Sequence, residues 1–270
     1  MLNEEADKLI SLKSDINAMF NSPILGYNSK EGIVYQFWAN RDSHDVNYFD
    51  PKTDYAPTTA ISSVSWDDSN FPNIEGFGVW AAKCNFTMGP DGKMYSRMLG
   101  GNLVRIDVEN ARGENLTNGD LVGTKDGSAY GLVFDPQDEN VFYFSNNDKH
   151  CIYKYDLRTK ECACWAGQEG KSGYLDGPIG QAMFNKPGQM CVDSEGNIIL
   201  TDTENHCIRK ITMSTGYVST LAGKPQNSGY VNGSAEDAQF KKPLGICIDN
   251  DDVMYIGDSE NRAIRRLAVE

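Results

Sequence analysis

Two loops in the C-terminal half of the chain place aromatic and hydrogen-bonding side chains in the same order. Both read Gly-Tyr-x-Asx-Gly, with Tyr174 and Asp176 in the first loop and Tyr230 and Asn232 in the second. An aromatic ring beside a carboxylate or an amide suits a sugar ring or a peptide, because the ring stacks and the polar group hydrogen-bonds. The rings could instead anchor the loops, since repeated features serve the scaffold first. The four residues are candidate ligand-binding residues.

A second set of polar side chains also recurs at one position. His150 and His206 lie 56 residues apart, and Arg262 follows after the same interval. A metal would need a further ligand, the only other histidine is His44, and arginine does not ligate metals. We expect each histidine to hydrogen-bond a neighbouring repeat, and we keep His150, His206 and Arg262 as candidate ligand contacts. No metal site is predicted.

The chain shows no signature of nucleophilic catalysis. It has no Gly-x-Ser-x-Gly elbow and no cysteine with an evident histidine partner. Most of the seven cysteines fall in predicted strands, where we interpret them as small buried apolar residues. The sequence therefore predicts no catalytic residue and no cofactor.

These residues belong to a long internal repeat. The stretch Asn185 to Thr212 returns, with many identities, as Lys241 to Leu267. The matched pairs, each 56 positions apart, are Pro187 and Pro243, Asp193 and Asp249, Asp202 and Asp258, Asn205 and Asn261, and Arg209 and Arg265. A fixed period of this length predicts repeated supersecondary units, and the matched Asp and Arg predict an ion pair that braces each unit.

Turn residues divide each copy into short apolar segments. Four strands and three turns in about forty residues are typical of one blade of a β-propeller. The middle segments are almost continuous runs of Ile, Leu, Val and Met, which is expected where both faces of a sheet are covered by neighbouring sheets. Weaker blades are predicted at residues 32–54, 80–121 and 128–167.

The pattern P-G-x-x-x-x-D-x-x-G-N-I-x-x-x-D-T-x-N-H-x-I-R-K, from Pro187 to Lys210, resembles the NHL repeat. The copy from Pro243 to Arg266 is similar but has Arg262 in place of the histidine and lacks the turn glycine. The resemblance implies an all-β fold, a β-propeller of four-stranded antiparallel blades. Five blades are recognisable, and six are expected in the complete ring, as is usual in this family. We predict a single domain over residues 1–270.

Residues 1–30 are ambiguous and could form a partial blade, an amphipathic helix or a ring-closing strand. We favour a strand over Lys8 to Leu12, because the predicted last blade ends after its third strand. Pairing there would cover a bare sheet edge.

The resemblance also implies a function. NHL propellers occur, often behind a TIG domain, in bacterial surface proteins that are thought to engage glycans or other proteins. In a four-stranded blade, the loop between the second and third strands shares a rim with the connection to the next blade, and the candidate residues all fall on those loops. We therefore expect a non-catalytic binding propeller that recognises a glycan or protein ligand through this rim.

An enzyme is the alternative. Related propellers include gluconolactonase-like hydrolases, which hold Ca²⁺ at the central channel, and an amidating lyase that holds Zn²⁺ with histidines. The predicted inner strands, Gly188 to Cys191 and Gly245 to Ile248, carry poor metal ligands. Binding is favoured, and the question of enzymatic activity stays open.

The net charge of −13 argues against nucleic acid as the main partner, because phosphates attract basic surfaces. No apolar run is long enough to cross a bilayer, and Met1 to Glu5 is not a signal peptide, so we expect no membrane insertion. We expect a monomer. The family resemblance implies the cell surface or the periplasm, with the cytoplasm as the alternative.

Overall fold

The protein's structure is a computed structural model that describes residues 24–28, 33–37, 44–49, 62–66, 86–97, 103–107, 112–116 and 131–268. The described residues form five antiparallel sheets, which we call blades I to V in chain order. Each blade is a meander in which consecutive strands are neighbours.

The first three blades each have four strands. Blade I contains β1 (Ile24–Asn28), β2 (Ile33–Phe37), β3 (His44–Phe49) and β4 (Ser62–Trp66). Blade II contains β5 (Phe86–Met88), β6 (Met94–Arg97), β7 (Leu103–Asp107) and β8 (Arg112–Asn115). Blade III contains β9 (Leu132–Phe134), β10 (Val141–Asn146), β11 (Cys151–Asp156) and β12 (Cys162–Gly167).

The last two blades are the strong repeats, and they differ at their outer edges. Blade IV contains β14 (Pro187–Val192), β15 (Ile198–Asp202), β16 (Cys207–Thr212) and β17 (Tyr217–Ala222), and the two-residue strand β13 (Gly177–Pro178) pairs with β17. Blade V contains three strands, β18 (Pro243–Ile248), β19 (Met254–Asp258) and β20 (Ala263–Leu267). Short 3₁₀ turns, Thr203–Asn205 and Ser259–Asn261, join the second and third strands.

The blades stand side by side around an axis. The first strands are adjacent in the order β1, β5, β9, β14 and β18, and β18 also lies beside β1. Hydroxyl groups of second strands connect blade III to blade IV and blade IV to blade V: Ser145 Oγ donates to Gly188 O at 2.7 Å, and Thr201 Oγ1 donates to Leu244 O at 2.9 Å. This arrangement is a β-propeller.

Apolar layers fill the spaces between the blades. Between blades IV and V, Ile199 and Ile208 of one sheet pack with Ile246 and Ile256 of the other. The second strands β10 and β15 are buried along their whole length. A strand with both faces covered needs no polar alternation, which explains their continuous apolar sequences.

Carboxylates fix the tight turns at the opposite end of the blades from the 3₁₀ turns. In blade IV, Asn197 N donates to Asp193 Oδ1 at 2.7 Å, and Gly196 adopts a φ of +80° within the turn. Asp193 also pairs with Lys210 Nζ at 2.9 Å. The carboxylate of this aspartate therefore closes the turn.

Blade I extends beyond its predicted limits. The prediction covered residues 32–54, whereas β1 begins at Ile24 and β4 ends at Trp66. No turn signature at the repeat spacing marks β1 and β4, which is why the pattern missed them.

The predicted strand over Lys8 to Leu12 and any sixth blade at the N-terminus lie outside the described residues. Along the described part of the chain, no helix reaches the length and hydropathy that crossing a bilayer requires.

Candidate ligand-binding rim

A buried arginine fixes the first Gly-Tyr-x-Asx-Gly loop to blade IV. Arg209, on β16, is fully buried and pairs with the equally buried Asp202 at 2.7 Å. Its other nitrogen contacts Asp176 Oδ1 at 2.6 Å, and the guanidinium also donates to the main-chain oxygens of Leu175 (3.0 Å) and Met183 (3.2 Å). The predicted Asp–Arg ion pair is confirmed, and its arginine is the centre of the loop's hydrogen bonds.

Two aromatic rings pack on this guanidinium. Its central carbon lies 4.8 Å from the centre of the Tyr174 ring and 5.2 Å from that of Phe184. The Tyr174 hydroxyl and Thr220 Oγ1 are 2.7 Å apart, and Thr220 N donates to Asp176 Oδ2 at 3.1 Å. Tyr174 and Asp176 therefore anchor the loop to the buried arginine and to β17, and a role in ligand binding stays a prediction for both.

Blade V repeats this clamp around Arg265. Arg265 pairs with Asp258 at 3.0 Å and donates to Val231 O and Asn232 Oδ1, both at 2.7 Å. The Tyr230 ring lies 5.0 Å from its guanidinium carbon. Tyr230 itself is 58% exposed, whereas Tyr174 is only partly exposed.

The 3₁₀ turns also hold these connections. Asn205 Nδ2 donates to Gly173 O at 2.8 Å, and Asn261 Nδ2 donates to Gly229 O at 2.7 Å. The two kinds of loop therefore meet at one rim, as the blade topology predicts.

His150 and His206 connect adjacent blades through the same nitrogen. Lys186 N donates to Nδ1 of His150 at 3.1 Å, and Lys242 N donates to Nδ1 of His206 at 3.2 Å. Both histidines have positive φ, 55° and 60°, just after the turn between the second and third strands. The predicted hydrogen bond from each histidine to a neighbouring blade is confirmed.

Arg262 occupies the matching place in blade V, with a φ of 52°, and its side chain is exposed. The three residues thus share one backbone position in blades III, IV and V and lie on separate blades. A direct role in ligand binding stays a prediction for each of them.

We expect the His150 contact to be sensitive to acid. Burial and the nearby Lys186 ammonium lower the pKa of His150, against the opposing charge of Asp148. The stabilisation is therefore complete above the unfolded pKa of about 6.5 and is lost as the pH falls through the lower folded pKa. Urea unfolding at pH 7.5 and 5.0 should show a larger loss of stability in acid for the wild type than for His150→Ala, by at most about 1 kcal/mol because the ring is partly exposed. Equal losses would contradict this role.

The described residues contain no group of three or more His, Cys, Asp or Glu side chains placed to hold a metal ion. On the inner strand β14, Gln189 is buried, and its Oε1 accepts a hydrogen bond from Ile246 N at 3.2 Å. This amide therefore serves the contact between blades IV and V.

The cysteines in the described part of the chain are free thiols, and those at 151, 191, 207 and 247 are buried. Burial raises the pKa of Cys247 to about 12, which keeps this thiol protonated and unreactive.

The sequence interpretation missed two exposed side chains on the rim. Leu175 and Val231, at the variable position of the two Gly-Tyr-x-Asx-Gly loops, are 46% and 43% exposed. The sequence could have indicated both residues, because each is an aliphatic residue in an otherwise polar loop.

The sequence profile of the NHL repeat matches residues 184–211, which include β14, β15 and most of β16. Protein SUPPRESSOR OF QUENCHING 1, chloroplastic, of Arabidopsis thaliana is 25% identical over 271 residues, 93% of this chain and 25% of the plant protein. NHL repeat-containing protein 2 of Gallus gallus is 30% identical over 152 residues, 56% of this chain and 19% of that protein. The chain thus spans a quarter or less of these relatives.

A crystal structure from Bacteroides thetaiotaomicron, of a protein of unknown function, has the same fold. It matches with a TM-score of 0.73 at 22% identity, over 91% of this chain and 58% of that chain. With the repeat period, the adjacent blades and the matching profile, these similarities agree on one classification. The chain carries an NHL repeat at residues 184–211 and folds as a β-propeller.

Proposed function

We propose that this protein is a non-catalytic binding propeller whose rim at blades IV and V recognises a protein or glycan ligand. The observation that carries the proposal is the pairing of fixed loops with outward apolar side chains. Arg209 and Arg265 hold the two connections from inside, while Leu175 and Val231 point into solvent at the same position of each.

Fixed loops favour binding because less conformational entropy is lost when the ligand is bound. The main-chain oxygens of Leu175 and Val231 each accept a hydrogen bond from the buried arginine, so the exposed side chains start from a defined backbone. The loops are therefore preorganised, because their backbone is already fixed before a ligand binds.

The aliphatic character of Leu175 and Val231 favours a protein ligand, because aliphatic side chains gain most by covering another apolar surface. Tyr230 adds an exposed ring that could stack on a sugar or pack on a peptide. By family resemblance, we place this activity at the cell surface or in the periplasm, with the cytoplasm as the alternative.

Surface substitutions test the proposed rim. The probes are a printed glycan array and a phage-displayed peptide library, each screened with the wild-type chain. The Leu175→Ser/Val231→Ser double variant should bind the selected ligands at least about tenfold more weakly, since the side chains at the centre of an interface are the ones whose truncation costs more than about 1 kcal/mol. Tyr217→Ser is the matched control, because Tyr217 is 47% exposed at the opposite end of blade IV.

No selected ligand from either screen, or equal affinities for the double variant and the control, would contradict the proposed rim.

Elemental analysis tests the non-catalytic part of the proposal. A gluconolactonase-like hydrolase would retain Ca²⁺, and a lyase of the NHL class would retain Zn²⁺. We expect neither metal in stoichiometric amount after purification without chelators. One metal ion per chain would favour the enzyme instead.

A further inference from the structure

The loop before blade V contains an asparagine that is followed by a glycine. Asn232 and Gly233 occupy the positions that Asp176 and Gly177 occupy in the loop before blade IV. Asn232 and Gly233 are both exposed, whereas Gly177 is buried in β13. An asparagine in this position can lose its side-chain amide, because the glycine has no Cβ to hinder the approach of its nitrogen. The second loop thus carries the amide form of a group that the first loop carries as a carboxylate.

The nitrogen that would attack this amide is free. Among the described residues, no group accepts a hydrogen bond from Gly233 N. Beyond its neighbours in the chain, a Cβ at Gly233 would meet only Asp237 Cβ, at 3.9 Å, so the space around this residue is open. Water can therefore take the proton from Gly233 N, a step that the attack requires.

Arg265 activates the amide that would be attacked. Its Nη2 donates to Asn232 Oδ1 at 2.7 Å. A guanidinium has only donors, so it holds the amide by its oxygen, and Nδ2 has no hydrogen-bond partner in the described part of the chain. Negative charge develops on Oδ1 as Gly233 N attacks Cγ, and a cation that is already placed at this oxygen stabilises that charge.

We propose that Asn232 is a deamidation site, with Gly233 N as the nucleophile and Arg265 as the group that stabilises the charge on Oδ1. The bond between Gly233 N and Asn232 Cγ forms, the Cγ–Nδ2 bond breaks, and Nδ2 takes up a proton and leaves as ammonia. Water then adds to either carbonyl of the cyclic imide and opens the ring. The reaction consumes water, releases ammonia and needs no oxidant or cofactor.

The two products differ in their effect on the loop. Addition of water at Cγ gives aspartate, which would place a carboxylate beside Arg265, as Asp176 Oδ1 lies 2.6 Å from Arg209. Addition at the main-chain carbonyl gives isoaspartate, in which the main chain runs through the former side chain and is longer by a methylene group. We therefore expect aspartate to preserve the clamp around Arg265 and isoaspartate to loosen it.

Peptide mass spectrometry of the full chain, incubated at pH 8.5 and sampled over several days, tests the proposal. Asn232 should react at least about tenfold faster than Asn227, which is also exposed but precedes Ser228, whose Cβ hinders the attack. Asn232 should also react about tenfold faster in the folded chain than in a synthetic peptide of residues 228–236, where no guanidinium is held at the amide. Asn118, the other asparagine that precedes a glycine, lies outside the described residues and falls in a different peptide.

A charge-conserving substitution separates the role of Arg265 from that of the loop. Arg265→Lys keeps a positive charge but lacks the forked donors that hold Val231 O and Asn232 Oδ1 together, so deamidation at Asn232 should slow by about fivefold. Arg266→Lys, at the next position of β20, changes an exposed side chain. This variant is the matched control and should deamidate at the rate of the wild type.

Equal rates for Asn232 and Asn227 would overturn the proposal, as would a rate in the folded chain no faster than in the peptide. Faster deamidation in Arg265→Lys would also overturn it, because the arginine would then protect the amide.

Discussion

Replacing Arg209 with methionine should lower the free energy of unfolding by about 3–5 kcal/mol, the range for breaking a buried ion pair by removing one partner. The loss is large because Asp202 stays fully buried without its counter-ion and because the oxygens of Leu175 and Met183 lose their donor. Burial already raises the pKa of Asp202 to about 6 with the guanidinium in place. Urea denaturation at neutral pH measures the difference.

The matched control is Lys210→Met, one residue further along β16. Lys210 is partly exposed and pairs with Asp193 at 2.9 Å at the other end of the blade. Because Lys210 reaches solvent and Asp193 keeps its hydrogen bonds from Asn197, this variant should lose about 1 kcal/mol, clearly less than Arg209→Met. If both variants lost a similar free energy of unfolding, the proposed importance of the buried Arg209 ion pair would be contradicted.

Gly188→Ala should be destabilising by about 2–3 kcal/mol, toward the upper end of the cost of overpacking a core. A Cβ at Gly188 would lie 2.9 Å from the main-chain oxygen of Leu244 in blade V and 2.9 Å from Thr203 Oγ1, and it would also contact Thr201 Oγ1. The carbonyl belongs to the neighbouring sheet, so the clash can be relieved only by moving two blades apart. Thermal or urea unfolding checks the value.

Gly180→Ala is the control for this prediction. A Cβ at Gly180 would meet nothing within 4 Å, and its backbone lies outside the left-handed region. Its stability should change by less than about 0.5 kcal/mol, as for an ordinary surface substitution. A neutral Gly188→Ala would mean that blades IV and V are not in close contact there.

The sequence predicted the parts of the fold that side chains encode directly. The 56-residue period found the matched pairs Asp202–Arg209 and Asp258–Arg265, and both are ion pairs in the structure. The contact of His150 could be predicted for the same reason, because its partner is the lysine of a Lys-Pro pair that recurs with the repeat.

Main-chain acceptors could not be predicted in this way. Every residue has a carbonyl oxygen, so nothing in the sequence indicates that those of Leu175 and Met183 receive hydrogen bonds from Arg209. Because these contacts with Arg209 could not be predicted, the aromatic and carboxylate side chains of the loop were open to interpretation as a ligand-binding site. The structure places Tyr174 and Asp176 around the arginine and leaves the aliphatic residue of the loop exposed.

Hydrogen exchange of the connection between blades III and IV in Arg209→Met most directly tests whether a buried arginine preorganises the rim. Gly173 N, Leu175 N and Met183 N are hydrogen-bonded within this connection in the wild type. Their exchange should accelerate by at least about tenfold, since local opening no longer breaks the arginine contacts, and it should remain faster than that of the β15 amides, which open only when the whole protein unfolds. Unchanged exchange at the three amides would contradict the role of Arg209 in fixing the rim.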